Sequence, residues 1–102
     1  MSKYRRMKET KNTNNRHINL KGTFAEKGFG FSCLKKAFEL KIVGRLVYLS
    51  SHEIEINLQG SEKKIINFYD WCLTLPETIS GEIFNTNKQY PTLNEFKIIN
   101  SI

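Results

Sequence analysis

Long apolar runs are missing from this chain of 102 residues. None approaches the roughly 18 residues that a membrane-spanning helix needs, and the first residues carry no apolar segment of the kind a secretory signal uses. The expectation is a cytoplasmic monomer with no membrane partner. Cysteine is scarce, with Cys33 and Cys72 the two present. Neither belongs to a Cys-x-x-Cys or Cys/His cluster, so each is expected as a reduced, half-buried thiol. Histidine is equally scarce. His17 and His52 stand far apart, at a strand start and a turn, with no spacing that suggests metal ligation. No metal or cofactor is expected, and neither His is assigned a catalytic role. The length allows one modest core and is too short for two.

Acidic residues are nearly absent from the N-terminal stretch. Residues 1–16 hold Lys3, Arg5, Arg6, Lys8, Lys11 and Arg16 against Glu9 alone, a net +5 out of +6 for the whole chain. The basicity belongs to this segment rather than to residues 17–102. With almost no apolar side chains to bury, 1–16 is expected to be a disordered tail. It could hold nucleic acid or another acidic surface, or simply be solvated.

Periodicity organises the remainder. Ile18 and Leu20 alternate with Asn19 and Lys21, which predicts a strand over 17–24, followed by a glycine-bearing loop over 25–30. Phe31, Leu34, Phe38 and Lys41 recur at helical spacing, supported by Ala37 and Leu40. This predicts a helix over 31–41 with that stripe toward the core and Ser32 as its N-cap. Strands are expected at 43–49 and 53–59, the second alternating strictly through Ile54, Ile56 and Leu58. A helix over 62–75 carries Ile65, Phe68, Tyr69, Cys72 and Leu75, and Pro76 stops it. Strands at 78–85 and 93–99 close the chain. The order strand, helix, strand, strand, helix, strand, plus one short strand, predicts a ferredoxin-like α+β two-layer sandwich. Both helices would lie on one face of an antiparallel sheet.

Gly28-Phe29-Gly30-Phe31-Ser32 carries the most functional information. Two glycines let the backbone bend so that its N–H groups converge, and a helix directly behind adds partial positive charge, which is the chemistry of an anion site. Ala25 to Phe31 also resembles the first RNA-binding motif of cold-shock domains, and Lys27 to Phe31 the equivalent motif of RNA-recognition domains, whose strand aromatics stack on bases. Those motifs need a different setting: the third strand of an RNA-recognition domain, or an all-β barrel with a second aromatic-His cluster. Neither setting is present here.

The folded body resembles the acylphosphatase family. Gly28–Ser32 falls on the family's loop Gly-Val-Gly-Phe-Arg, and residues 44–76 match without a gap. Gly44 opens the second strand, Leu49 precedes the hairpin turn, Glu55 lies in the third strand and Gly60 closes it. Phe68-Tyr69-Asp70-Trp71 matches the family's Phe-Ile-Glu-Trp, and Pro76 ends that helix. Phe96-Lys97-Ile98 resembles the closing Phe-Glu-Ile.

The resemblance implies metal-free hydrolysis of the carboxyl-phosphate bond of acyl phosphates. In the family, loop N–H groups and an Arg hold the phosphoryl group while an Asn orients the attacking water. Positioning and charge stabilisation are most of what phosphoryl transfer requires. Carried over by position, the Arg site is Ser32 and the Asn site is Tyr48. The phosphate-binding loop would be Lys27, Gly28, Phe29, Gly30 and Phe31. A serine replaces neither the charge nor the fork of a guanidinium, and a tyrosine is too long to hold water where an amide would. Activity is therefore expected to be weak or lost unless Lys27 or Lys21 supplies a cation. The alternative is a non-enzymatic module that binds a phosphate-bearing ligand at the loop, or nucleic acid through the loop or tail.

Overall fold

The computed structural model describes residues 14–25, 28–85 and 94–100. Residues 1–13, most of the expected tail, lie outside the described residues, as do Lys27 and the connection 86–93. The element order is β1 (Asn14–Gly22), α1 (Gly28–Leu40), β2 (Val43–Ser50), β3 (Glu53–Gly60), α2 (Glu62–Leu73), β4 (Thr78–Asn85) and β5 (Phe96–Asn100). The five strands form one sheet in the order β4-β1-β3-β2-β5. Four strands pair antiparallel, and β5 adds to β2 in parallel. This is the expected ferredoxin-like sandwich, with a mixed sheet because of β5.

Strand alternation builds the two layers. Ile18, Leu20, Leu46, Tyr48, Ile54, Ile56 and Leu58 turn to one face and are buried with Phe29, Cys33, Ala37, Ile65, Phe68 and Cys72 from the helices. Register aligns them: Ile56 of β3 lies between Ile18 of β1 and Leu46 of β2. The opposite face carries polar pairs, including His17 Nδ1 with Asn57 Oδ1 at 2.9 Å and Asn19 Nδ2 donating to Glu53 Oε2 at 2.9 Å. Helix α2 starts where Ser61 Oγ accepts the Lys64 N–H at 3.3 Å, a side-chain N-cap. Gly44 lets β2 approach β3 closely, since a Cβ there would lie 2.0 Å from the Asn57 carbonyl oxygen.

Three element starts shift by three residues from expectation. Strand β1 takes in Asn14, Asn15 and Arg16, which the sequence assigns to the tail, because β3 extends to Gly60 and offers them partners. The Arg16 guanidinium also pairs with Glu62 at the start of α2. Helix α1 begins at Gly28 rather than 31, so Gly28–Phe31 is its first turn and not a loop, and Ser32 lies inside it instead of capping it. Strand β5 begins at Phe96 rather than 93.

The early start of α1 changes which side faces inward. Phe29, Cys33 and Ala37, four residues apart, form the buried stripe, and the Phe29 ring meets Phe24 at 4.7 Å with the planes tilted by 54°. Phe31 and Phe38, expected in the core, are 65% and 83% exposed. The thiols differ as well. Cys33 and Cys72 are fully buried rather than half-buried, and they share a hydrogen bond where α1 meets α2.

Candidate functional site

The five residues of the glycine-aromatic motif leave the first turns of α1 in different directions. Phe29 enters the core and is 2% exposed. Gly30 lies against the sheet beneath it. Phe31 faces solvent on the outer side of the helix, lining an apolar groove with Phe96 of β5. Ser32 borders a shallow depression between the helices with Lys36 and Trp71. There Lys36 Nζ sits 5.7 Å from the Trp71 ring centroid and 3.7 Å from Glu39.

Gly30 decides the chemistry of this site. Its backbone N–H is one of the early donors that a helix leaves without an internal partner, and in an anion site such donors face the ligand. Here it donates to Tyr48 Oη at 2.9 Å. Tyr48 projects from β2 into the core and is 2% exposed. Burial pushes its phenol above the ordinary value, the Gly30 N–H works in the other direction, and nearby Cys33 raises it further. The phenol is therefore neutral at physiological pH. The fit is close: a Cβ on residue 30 would lie 2.8 Å from the hydroxyl oxygen and 3.3 Å from Cε1. Glycine at 30 is what admits the ring. Nothing lies within 4 Å of a Cβ on Gly28, and no described glycine has positive φ.

The segment entering the helix is tied down by backbone. Gly22 N–H donates to the His52 carbonyl at 3.0 Å, Thr23 N–H to Glu77 at 2.9 Å, and Phe24 N–H to Ser51 at 2.6 Å. His52 returns the contact through Nδ1, 3.2 Å from the Gly22 carbonyl oxygen. These bonds fix the β1 end against the hairpin turn, and His52 acts as a clip. Lys21 is no substitute cation at the helix start. It lies on the opposite sheet face, with Nζ 3.3 Å from Glu53. Asn19 first, then Lys21, hold the Glu53 carboxyl below its ordinary range.

No protein-family model matches the chain, and no curated protein matches it by sequence. Solved structures do match. An acylphosphatase from Coxiella burnetii superposes with a TM-score of 0.78 at 22% identity, covering 88% of this chain and 96% of its own. An acylphosphatase from Bacillus subtilis gives 0.73 at 17%, covering 83% and 97%. The chain has an acylphosphatase-like fold. Full-length HypF, in its phosphate- and nucleotide-bound form, matches over 87% of this chain but 12% of its own length, with a TM-score of 0.74 at 21% identity. At such identities the likeness speaks for architecture, and the site speaks for function.

Within the acylphosphatase-like domain, the structure brings Tyr48 to Gly30 and leads Ser32 away to the Trp71 depression. Phe29 and Phe31 lie on a helix rather than on the exposed strand that the RNA-binding motifs use, and Phe29 is buried. The sequence did not signal the Cys33–Cys72 contact, since 39 positions separate the two and only the packing of α1 on α2 joins them. Among the described residues no helix is long and apolar enough to cross a membrane.

Proposed function

We propose that this chain is an acylphosphatase-like domain in which efficient hydrolysis of acyl phosphates has been lost. The observation that carries the reading is the Gly30 N–H donated to Tyr48 Oη. A donor that could hold a phosphoryl oxygen is satisfied internally, and a neutral aromatic ring fills the volume where the resemblance implies a water-orienting amide. Ser32, at the position of the implied arginine, offers one neutral hydroxyl in place of a guanidinium. Each missing group is worth about 10²–10³-fold when such donors are removed singly. Catalytic groups act jointly, so the pair is assigned a loss of about 10⁴-fold, the low end of the product.

Benzoyl phosphate hydrolysis by the purified chain tests this. The expected turnover is about 10⁻³ s⁻¹, about 10⁴-fold below that of an ordinary enzyme, and turnover typical of a good enzyme, about 10 s⁻¹, refutes the proposal. The double substitution Ser32→Arg with Tyr48→Asn is expected to raise turnover, since it releases the Gly30 donor and adds a guanidinium at the position where the resemblance implies one.

A further inference from the structure

Helix α1 is apolar on two sides, and one of them has no covering element among the described residues. Phe31, Leu34 and Phe38 form an outward stripe at helical spacing, with the two phenylalanines 65% and 83% exposed. Ile42, Val43 and Phe96 form the facing wall, and together they shape a groove of about 830 Å³. A contiguous apolar patch of this kind marks an interaction site more often than a scatter of single exposed side chains does.

The rim supplies a second observation. Lys35 and Lys41 border the groove, and neither enters an ion pair among the described residues. Lys41 also has φ of 60°, the sole described non-glycine residue in the left-handed region. It closes α1 in a double-bonded C-terminal turn, with Ile42 N–H donating to Ala37 at 3.0 Å and Lys41 N–H to Phe38 at 3.2 Å. Glycine is the usual residue there, so a lysine at this point keeps a cation at the groove despite backbone strain. The one acid on the rim, Glu95, is countered by Lys97 at 3.7 Å.

We propose that this groove docks an acidic amphipathic segment of another protein. Its apolar side chains would seat between Phe31, Phe38 and Phe96, and its carboxylates would meet Lys35 and Lys41. Charge selects this occupant. A second copy seated symmetrically would bring Lys35 and Lys41 toward their own counterparts, with Glu95, already paired to Lys97, the one rim acid to meet them, and a flat bilayer would leave the concave wall unfilled. An apolar helix face laid into a groove is a recurring recognition mode.

The test titrates the ¹⁵N-labelled full chain with synthetic acidic peptides of about four turns, bearing Leu or Phe at i, i+3, i+4 and i+7, alongside twins in which Lys replaces each acid. Saturable shifts confined to residues 31–43 and 94–98 are expected with the acidic peptides. Phe38→Ser should weaken binding about tenfold, as loss of an anchor does. Lys41→Gly should weaken it about two- to fivefold while raising the unfolding midpoint, which separates the docking role of this lysine from a role in the fold. Absence of saturable shifts with every acidic peptide, or equal binding of the lysine twins, overturns the proposal. So do the same shifts produced instead by phosphatidylserine vesicles, or a concentration-dependent dimer in sedimentation.

Discussion

Alanine at the two glycines of the motif should change stability in opposite directions, although both sit in the first turn of one helix. At Gly28 an added methyl meets nothing within 4 Å. Alanine there reduces the freedom of the unfolded chain and favours the helix, a gain of about 0.4–1 kcal/mol. At Gly30 the same gain is outweighed. The new Cβ lies 2.8 Å from Tyr48 Oη, 3.3 Å from its Cε1 and 3.4 Å from Ile98 Cδ1. The ring must retreat, which breaks the 2.9 Å bond from the Gly30 N–H. A buried donor left without a partner costs about 1–3 kcal/mol, and overpacking adds a comparable amount. The expected net loss is about 3 kcal/mol, or about 15 °C in Tm for a domain of this size. Thermal unfolding of both variants measures the signs. Repeating Gly30→Ala in a Tyr48→Phe background then isolates the contact, because without the hydroxyl the methyl meets no oxygen at 2.8 Å. The second loss should be smaller by about 1 kcal/mol or more. Equal signs at 28 and 30, or an undiminished loss at 30 once the hydroxyl is removed, would refute the assignment of Tyr48 as the group that seals the helix start.

The remaining predictions concern the core. Burial and the shared hydrogen bond with Cys72 push the Cys33 thiol well above its ordinary value of 9.0, the hydrogen bond being the larger cause. Iodoacetamide should leave native Cys33 unmodified and label it rapidly in urea. The linkage follows: above about pH 9 the unfolded chain loses a proton that the folded chain keeps, so stability falls as pH rises through that range. Urea midpoints at about pH 8 and about pH 10 should therefore differ, the alkaline one lower, with the difference reduced in Cys33→Ala; an unreduced difference would assign it to other groups. Gly44→Ala places a methyl 2.0 Å from the Asn57 carbonyl oxygen and 3.1 Å from the Leu58 Cα, both backbone of β3. A loss of about 3 kcal/mol in urea unfolding is expected, and a loss below about 0.5 kcal/mol, the ordinary range for a surface substitution, would mean that β2 and β3 can separate cheaply.

Elements with strong alternation were legible from residues alone. Ile54, Ile56 and Leu58 specify β3 and its buried face because a one-residue slip would expose all three. Ser61 and Pro76 bracket α2 for chemical reasons that act locally. Helix α1 was harder, because its residues support two different stripes. Phe31, Leu34 and Phe38 make the bulkier set, yet Phe29, Cys33 and Ala37 face inward. Small residues let α1 sit close to α2, where Cys33 meets Cys72, and hydrophobicity alone does not weigh closeness of approach. Ser32 and Tyr48 were legible as the positions where the resemblance implies an arginine and an asparagine. The path of the Tyr48 phenol was not, since it depends on Gly30 lying beneath it in the fold.

Under the proposed loss of hydrolysis, position 48 explains how the architecture persists without the chemistry. A hydrolytic site at a helix start needs open volume, unsatisfied donors and a held water. A stable core needs the same volume filled and the same donors bonded. Tyr48 meets the second set of demands, its ring buried beside Ile54 across the β2–β3 pair and its hydroxyl accepting from Gly30. The double variant proposed to raise activity therefore carries a structural cost. Tyr48→Asn removes a buried aromatic ring, a change that destabilises by about 3 kcal/mol or more when the cavity does not collapse. Ser32→Arg, at an exposed site, should change stability by less than about 0.5 kcal/mol. The double variant should thus turn over benzoyl phosphate faster while unfolding at markedly lower urea, with nearly all the destabilisation traced to residue 48. Phosphate should recover part of that stability in the double variant and none in the native chain, because only the variant presents a free Gly30 donor to bind it. Equal protection of both chains by phosphate would mean that the anion finds donors other than this one, and that Tyr48 does not close the site.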